Sequence, residues 1–142
     1  MLNEKSKNSF SFYVVLFAAA FGLNWIWEVS QTFAFNMNDV SGGKMLLFCT
    51  FASVIDGLVT IAVFWILHKI FADVNWKFYL SAAVLGALTA VFFEQTAFTF
   101  GLWSYEERMP VLPVLGTGLL PFMQLTMLVP LAIWLTTKLK RS

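Results

Sequence analysis

Residues 78–100, FYLSAAVLGALTAVFFEQTAFTF, decide the fold of this chain. A helix over this stretch rises about 1.5 Å per residue and crosses about 30 Å of hydrocarbon. Residues 10–33, 45–70 and 111–137 are comparably long and apolar. In the whole chain 59% of residues are hydrophobic and only 12% are charged, which is not the composition of a soluble domain. The sequence predicts an all-α polytopic membrane protein, a four-helix transmembrane bundle that forms one domain over residues 1–142.

Three of these predicted spans carry a carboxylate, namely Glu28, Asp56 and Glu94. A charged side chain near the bilayer centre costs roughly 2.5–3.5 kcal/mol on insertion scales, so the three acids should face one another, a cavity or a proton. We expect at least one of them to be protonated at neutral pH. Interhelical hydrogen bonding is the alternative role, but amides and hydroxyls serve it at lower cost. The three acids are therefore the candidate catalytic residues.

Helical spacing places further polar side chains close to these acids. Asn24, Glu28 and Gln31 are four and then three residues apart, which puts them on one face of the first predicted helix. Gln124 should face inward from the fourth helix, at moderate depth. We expect these side chains to converge in one half of the bundle.

A ladder of small residues spaced by four leads along the third predicted helix to Glu94; its members are Ala82, Gly86 and Ala90. Small residues at this spacing let transmembrane helices approach closely, so this face should be buried against a neighbouring helix. Glu94 is thus expected to point into the bundle.

The stretch between the third and fourth spans, residues 101–121, is rich in proline and glycine, which argues against a regular helix before about residue 117. We interpret it as an interfacial cap over the mouth of the bundle. Its aromatic residues, with those at the end of the first span, are typical of an interfacial belt, and substrate stacking is the alternative. The candidate substrate-binding residues are Asn24, Trp27, Gln31, Trp103, Tyr105 and Gln124.

Basic residues are distributed unevenly about the predicted spans. With both termini on one side, that side carries Lys5, Lys7, Lys69, Lys77, Lys138, Lys140 and Arg141, and the other carries Lys44 and Arg108. The positive-inside rule then predicts that both termini lie in the cytoplasm. The location that we expect is the bacterial inner (plasma) membrane. The basic start followed by alanines at residues 18–20 also resembles a signal peptide, but the apolar run continues beyond them, which favours a retained first helix.

Several classes of chemistry find no support in the residues. One histidine and one cysteine do not supply a multi-histidine di-iron site or a dithiol pair. The chain has no glycine-rich phosphate loop and no basic patch for nucleic acid. We therefore predict no cofactor, no bound metal and no nucleic-acid partner.

Two resemblances extend this interpretation. The chain resembles a group of small four-helix bacterial membrane proteins of unassigned function. The residues that carry this resemblance are Asn24-x-x-Trp27-Glu28-x-x-Gln31, Asp56, Glu94, Gly101-x-Trp103-x-Tyr105 and Met109-Pro110-x-x-Pro113-x-x-Gly116-x-Gly118-Leu119-x-Pro121-x-x-Gln124. Glu94, followed by Gly101-x-Trp103-x-Tyr105 and a Pro/Gly-rich entry to the next helix, resembles integral-membrane carotenoid hydratases. This second resemblance implies acid-catalysed addition to an isoprenoid double bond.

Three functional hypotheses follow. The first is an intramembrane enzyme for acid/base isomerisation, hydration or cyclisation of an apolar, isoprenoid-like lipid. In that enzyme Glu94 is the acid, Asp56 its partner, Glu28 a second base, and Gln31 and Gln124 orient the substrate. The second is a small proton- or cation-coupled transporter that dimerises. The third is an accessory or assembly subunit of a larger membrane complex. The expected partners are membrane lipids, a lipophilic small molecule, and further copies of this chain or a larger complex.

Overall fold

The computed structural model describes residues 4–7, 9–36 and 41–141. A short helical turn, α1 (Glu4–Lys7), precedes four long helices: α2 (Phe10–Gln31), α3 (Gly42–Ile70), α4 (Trp76–Thr99) and α5 (Leu119–Arg141). Each of the four is long and apolar enough to cross a membrane. They pack against one another, which confirms the predicted all-α bundle.

The helix boundaries follow local sequence signals. Ser9, Ser41 and Asn75 precede α2, α3 and α4, and each side-chain oxygen accepts a hydrogen bond from a backbone N–H of the first turn, as N-capping residues do. The fourth long helix begins at Leu119, well after residue 111. This confirms that no regular helix forms before about residue 117.

The two sides of the bundle are packed differently. α2 lies against α3 and α5, and α4 lies against α5, whereas α3 has little contact with α4 or α5. Gly86 permits the close approach of α4 to α5, because a Cβ at this position would overlap with the Leu125 carbonyl oxygen. We call the end where α2 begins and α5 ends the terminus end. An apolar core fills it, which includes Phe12, Leu16, Phe64, Phe78, Val129 and Ile133.

The opposite end is covered by residues 101–118, here called the cap segment. Within it β2 (Ser104–Tyr105) pairs antiparallel with β1 (Phe35–Asn36), which follows the 3-10 turn Thr32–Ala34 after α2. Gly101 and Gly116 have φ values of 63° and 65°, a left-handed conformation that glycine adopts without strain. The segment thus bends back over the bundle and is fastened to the connection between α2 and α3. We call this end the cap end.

Candidate functional site

A cavity of about 320 Å³ lies among the four helices at the cap end. The three predicted catalytic carboxylates, Glu28, Asp56 and Glu94, all line it, although they come from three different helices. Three of the predicted substrate-binding residues also line it, namely Gln31, Trp103 and Gln124. The other three, Asn24, Trp27 and Tyr105, contact lining residues from behind.

Gln124 connects the polar side chains of α2 and α3. Its Nε2 lies 2.8 Å from Asn24 Oδ1, 3.0 Å from Glu28 Oε1 and 3.0 Å from Asp56 Oδ2. Asn24 is itself oriented, because its Nδ2–H donates to the Ala20 carbonyl oxygen at 2.8 Å. The buried amide of α5 therefore holds two of the three acids next to each other.

A second amide completes this arrangement on α2. Gln31 donates from Nε2 to Gln124 Oε1 at 3.0 Å and to Glu28 Oε2 at 3.3 Å. Trp27 in turn donates its indole N–H to Gln31 Oε1 at 3.0 Å, which fixes the amide orientation. Both carboxyl oxygens of Glu28 thus accept hydrogen bonds from glutamine side chains.

Glu94 is held by the cap segment instead. The Tyr105 hydroxyl donates to Glu94 Oε2, and the Trp103 indole N–H donates to the same oxygen at 3.3 Å. Tyr105 also accepts the Gly118 backbone N–H at 2.8 Å. Burial and the hydrogen bond to Glu94 both raise the pKa of Tyr105, so its phenol stays neutral and remains a donor.

Two carboxyl oxygens are left for a ligand. Glu94 Oε1 and Asp56 Oδ1 form no hydrogen bond with any described residue, whereas the second oxygen of each group is occupied. Glu94 and Asp56 line the same cavity, and neither is in an ion pair among the described residues. If Glu94 is protonated, the two donors on Oε2 direct the acidic hydrogen to Oε1.

The remainder of the cavity wall is mainly apolar. Ala90, Phe93 and Leu125 contribute to it, and Ala90 and Leu125 also belong to the apolar core that fills the terminus end. The cavity is therefore closed toward the terminus end by packed side chains.

The open side of the cavity faces away from the bundle axis. Phe48, Phe51 and Leu102 line the cavity, yet 48%, 66% and 58% of their surfaces are exposed. They belong to α3 and the cap segment, next to the poorly packed boundary between α3 and α4. Exposed apolar side chains therefore border this side of the cavity.

Comparison with protein-family models, curated proteins and solved structures finds no match to this chain.

Two residues that were not predicted from the sequence, Phe35 and Gly118, also support the site. Phe35 packs edge to face against Trp103 and Tyr105, with ring centroids 6.1 and 5.4 Å apart, and so supports the residues that hold Glu94. Gly118 anchors the Tyr105 hydroxyl. No local pattern identifies either residue, because both contacts join parts of the chain that are distant in sequence.

No group of three or more His, Cys, Asp or Glu side chains in residues 4–7, 9–36 and 41–141 is arranged to hold a metal ion. The carboxyl groups that line this cavity are able to donate or accept a proton.

Proposed function

We propose that this chain is an intramembrane enzyme that performs acid/base isomerisation, hydration or cyclisation of an apolar, isoprenoid-like lipid. The observation that carries the proposal is a pair of carboxyl oxygens on one apolar cavity, Glu94 Oε1 and Asp56 Oδ1, that accept no hydrogen bond from the described residues. One acid gives a proton and the other takes one, which is the arrangement that general acid/base catalysis requires.

In the first step, the proton on Glu94 Oε1 forms a bond to one carbon of a substrate double bond. The electron pair of the double bond makes the new C–H bond, and the other carbon becomes a carbocation. In isomerisation, Asp56 removes a proton from the adjacent carbon, and the electrons of that C–H bond form the shifted double bond. The proton on Asp56 then returns to Glu94, so the enzyme is unchanged.

Hydration and cyclisation differ only in what the carbocation meets. In hydration, a water oxygen bonds to the cationic carbon and Asp56 takes one of the water protons. In cyclisation, a second double bond of the same molecule supplies the electron pair before Asp56 takes a proton. The aromatic rings of Phe93 and Trp103 on the cavity wall stabilise positive charge by cation–π attraction.

The shape and lining of the cavity support an apolar substrate. Ligand pockets have volumes of about 300–1,000 Å³, so this cavity accommodates one end of a lipid chain and the remainder extends through the lateral opening. The same opening gives a membrane lipid direct access without passage through water. The resemblance to carotenoid hydratases is consistent with an unsaturated isoprenoid chain.

The proposed setting is the bacterial inner membrane, with the terminus end in the cytoplasm. The excess of lysine and arginine at that end supports this orientation. The carboxylate cavity would then lie in the outer half of the bilayer.

The test follows hydrogen from solvent into lipid. Purified protein in nanodiscs made from bacterial inner-membrane lipid extract is incubated in D₂O, and the lipids are returned to ordinary water and analysed by mass spectrometry. Only deuterium bonded to carbon survives this exchange. We expect wild-type protein to deuterate one apolar lipid class. Glu94→Gln, which keeps the shape and loses the proton, should reduce the rate by about 100-fold or more.

Glu107→Gln is the matched control, because Glu107 is exposed on the cap segment, outside the cavity. It should retain the wild-type rate. No carbon-bound deuterium with wild-type protein, or an equal rate in Glu94→Gln, would contradict the enzyme hypothesis. Proton uptake coupled to a solute, lost in Glu94→Gln, would then favour the transporter, and a stoichiometric co-purifying protein would favour the accessory subunit.

A further inference from the structure

Three tryptophans at the terminus end carry a lysine over their rings. The Nζ atoms of Lys69, Lys77 and Lys138 lie 4.6, 5.7 and 4.8 Å from the ring centroids of Trp65, Trp76 and Trp134, respectively. The pairs come from the end of α3, the start of α4 and the end of α5. Cation–π attraction at these distances holds each ammonium group beside its ring.

These rings face outward. Trp65, Trp76 and Trp134 have 52%, 68% and 42% of their surfaces exposed. Exposed aliphatic side chains accompany each pair, namely Ile66 and Ile70 on α3, Leu80 on α4, and Leu131 and Leu139 on α5. Each unit thus offers an aromatic ring, a cation and an aliphatic strip made of the exposed side chains beside them.

The charge at this end favours an anion. The described basic side chains there are Lys5, Lys69, Lys77, Lys138, Lys140 and Arg141, against two acids, Glu4 and Asp73. Glu4 lies 3.9 Å from His68 Nε2. At the cap end, the described charged side chains outside the cavity are balanced, with Lys44 and Arg108 against Glu106 and Glu107. The positive charge is therefore concentrated where the three tryptophans lie.

We infer that the terminus end binds anionic phospholipids through these three Trp–Lys pairs. The lysine contacts the lipid phosphate, the indole ring lies at headgroup depth, and the aliphatic strip packs against an acyl chain. Each lysine near an anionic surface adds attraction that weakens as salt rises. A headgroup with a net negative charge is attracted by the excess of lysine and arginine. A zwitterionic headgroup also carries a positive group, which the same lysines and arginine repel.

The test counts retained lipid on purified protein. Wild-type protein in neutral detergent receives equal amounts of phosphatidylglycerol and phosphatidylcholine, and native mass spectrometry measures how much of each remains bound. We expect phosphatidylglycerol to be retained preferentially. The triple variant Lys69→Gln, Lys77→Gln, Lys138→Gln should weaken its binding by about tenfold or more.

The double variant Lys44→Gln, Arg108→Gln removes cations from the cap end and should retain phosphatidylglycerol as wild type does. If the wild-type protein retains phosphatidylglycerol and phosphatidylcholine equally, this result alone would overturn the inference. An equal loss in the cap-end variant would overturn it as well, since binding would then reflect total charge. Because none of these residues lines the carboxylate cavity, the result is independent of the proposed catalytic function.

Discussion

Tyr105 and Glu94 are joined by a hydrogen bond that links the cap segment to α4, at the wall of the cavity. Because the Tyr105 hydroxyl also accepts the Gly118 N–H, its hydrogen is directed at the carboxyl group. The orientation of the proposed acid therefore depends on a residue outside the four long helices.

Replacing Tyr105 by phenylalanine should slow the proposed proton transfer by about 10- to 100-fold. A hydrogen bond to a charged group contributes about 1.5–3 kcal/mol, and each 1.36 kcal/mol corresponds to a tenfold change in rate. Deuterium incorporation into lipid measures the effect. Tyr79→Phe is the control, because it removes the same hydroxyl from a tyrosine at the terminus end of α4 that is hydrogen-bonded to Thr137 and not to Glu94. A Tyr105→Phe rate equal to that of the control would remove Tyr105 from the mechanism.

The raised pKa of Tyr105 has a consequence at alkaline pH. In the unfolded chain this phenol ionises near pH 10, whereas in the folded protein it stays protonated beyond that point. The folded state then holds one more proton than the unfolded state, so stability is unaffected below about pH 10 and falls as pH rises above it. Unfolding midpoints measured from about pH 9 to 11 should fall less steeply in Tyr105→Phe than in wild-type protein. Parallel curves would contradict this.

Gln124→Leu should destabilise the bundle by roughly 2–4 kcal/mol. The substitution keeps a side chain of similar size but leaves Asn24 Oδ1 and an oxygen of Asp56 without their donor, and a buried polar group left unpaired costs about 1–3 kcal/mol. Unfolding by SDS in mixed micelles measures the change. Gln95→Leu removes an exposed glutamine that donates to the Leu115 carbonyl, and it should cost about 1 kcal/mol or less. Similar losses in the two variants would show that Gln124 does not hold the network together.

Gly86→Ala should destabilise the protein by about 1–3 kcal/mol, because the added methyl group would meet the Leu125 carbonyl and force α4 away from α5. Gly22→Ala provides the comparison, since a Cβ at that position has no neighbour within 4 Å. It should be neutral or slightly stabilising, as alanine favours the helical state. The same SDS titration applies, and a neutral Gly86→Ala would indicate that the two helices are not closely packed.

The long helices could be predicted because hydropathy and helical period are local properties of the sequence. The spacing of Asn24, Glu28 and Gln31 also placed them on one face, and the small-residue ladder correctly indicated a buried Glu94. These inferences needed only the period of an α-helix.

The hydrogen bonding around Glu94 could not be predicted in this way. Trp103 and Tyr105 reach it because β2 pairs with β1 and the cap segment turns back, and these contacts join distant parts of the chain. Ser53 and Thr60 show the reverse case, in which helical spacing places polar side chains beside an acid but their hydrogen bonds go elsewhere. They share a helical face with Asp56, but their hydroxyls donate to the carbonyls of Cys49 and Asp56 on the preceding turn. Helical phase alone does not reveal which polar groups are already satisfied by their own backbone.

The position of Cys49 makes the cavity chemically addressable. It is the single cysteine of the chain, it is buried, and it lines the cavity together with Asp56 and Glu94. A membrane-permeant thiol reagent therefore has one attachment point in the molecule, and a bound lipid would shield that sulfur from alkylation. The rate of thiol modification thus becomes a direct readout of occupancy, usable with any candidate lipid before its product is identified.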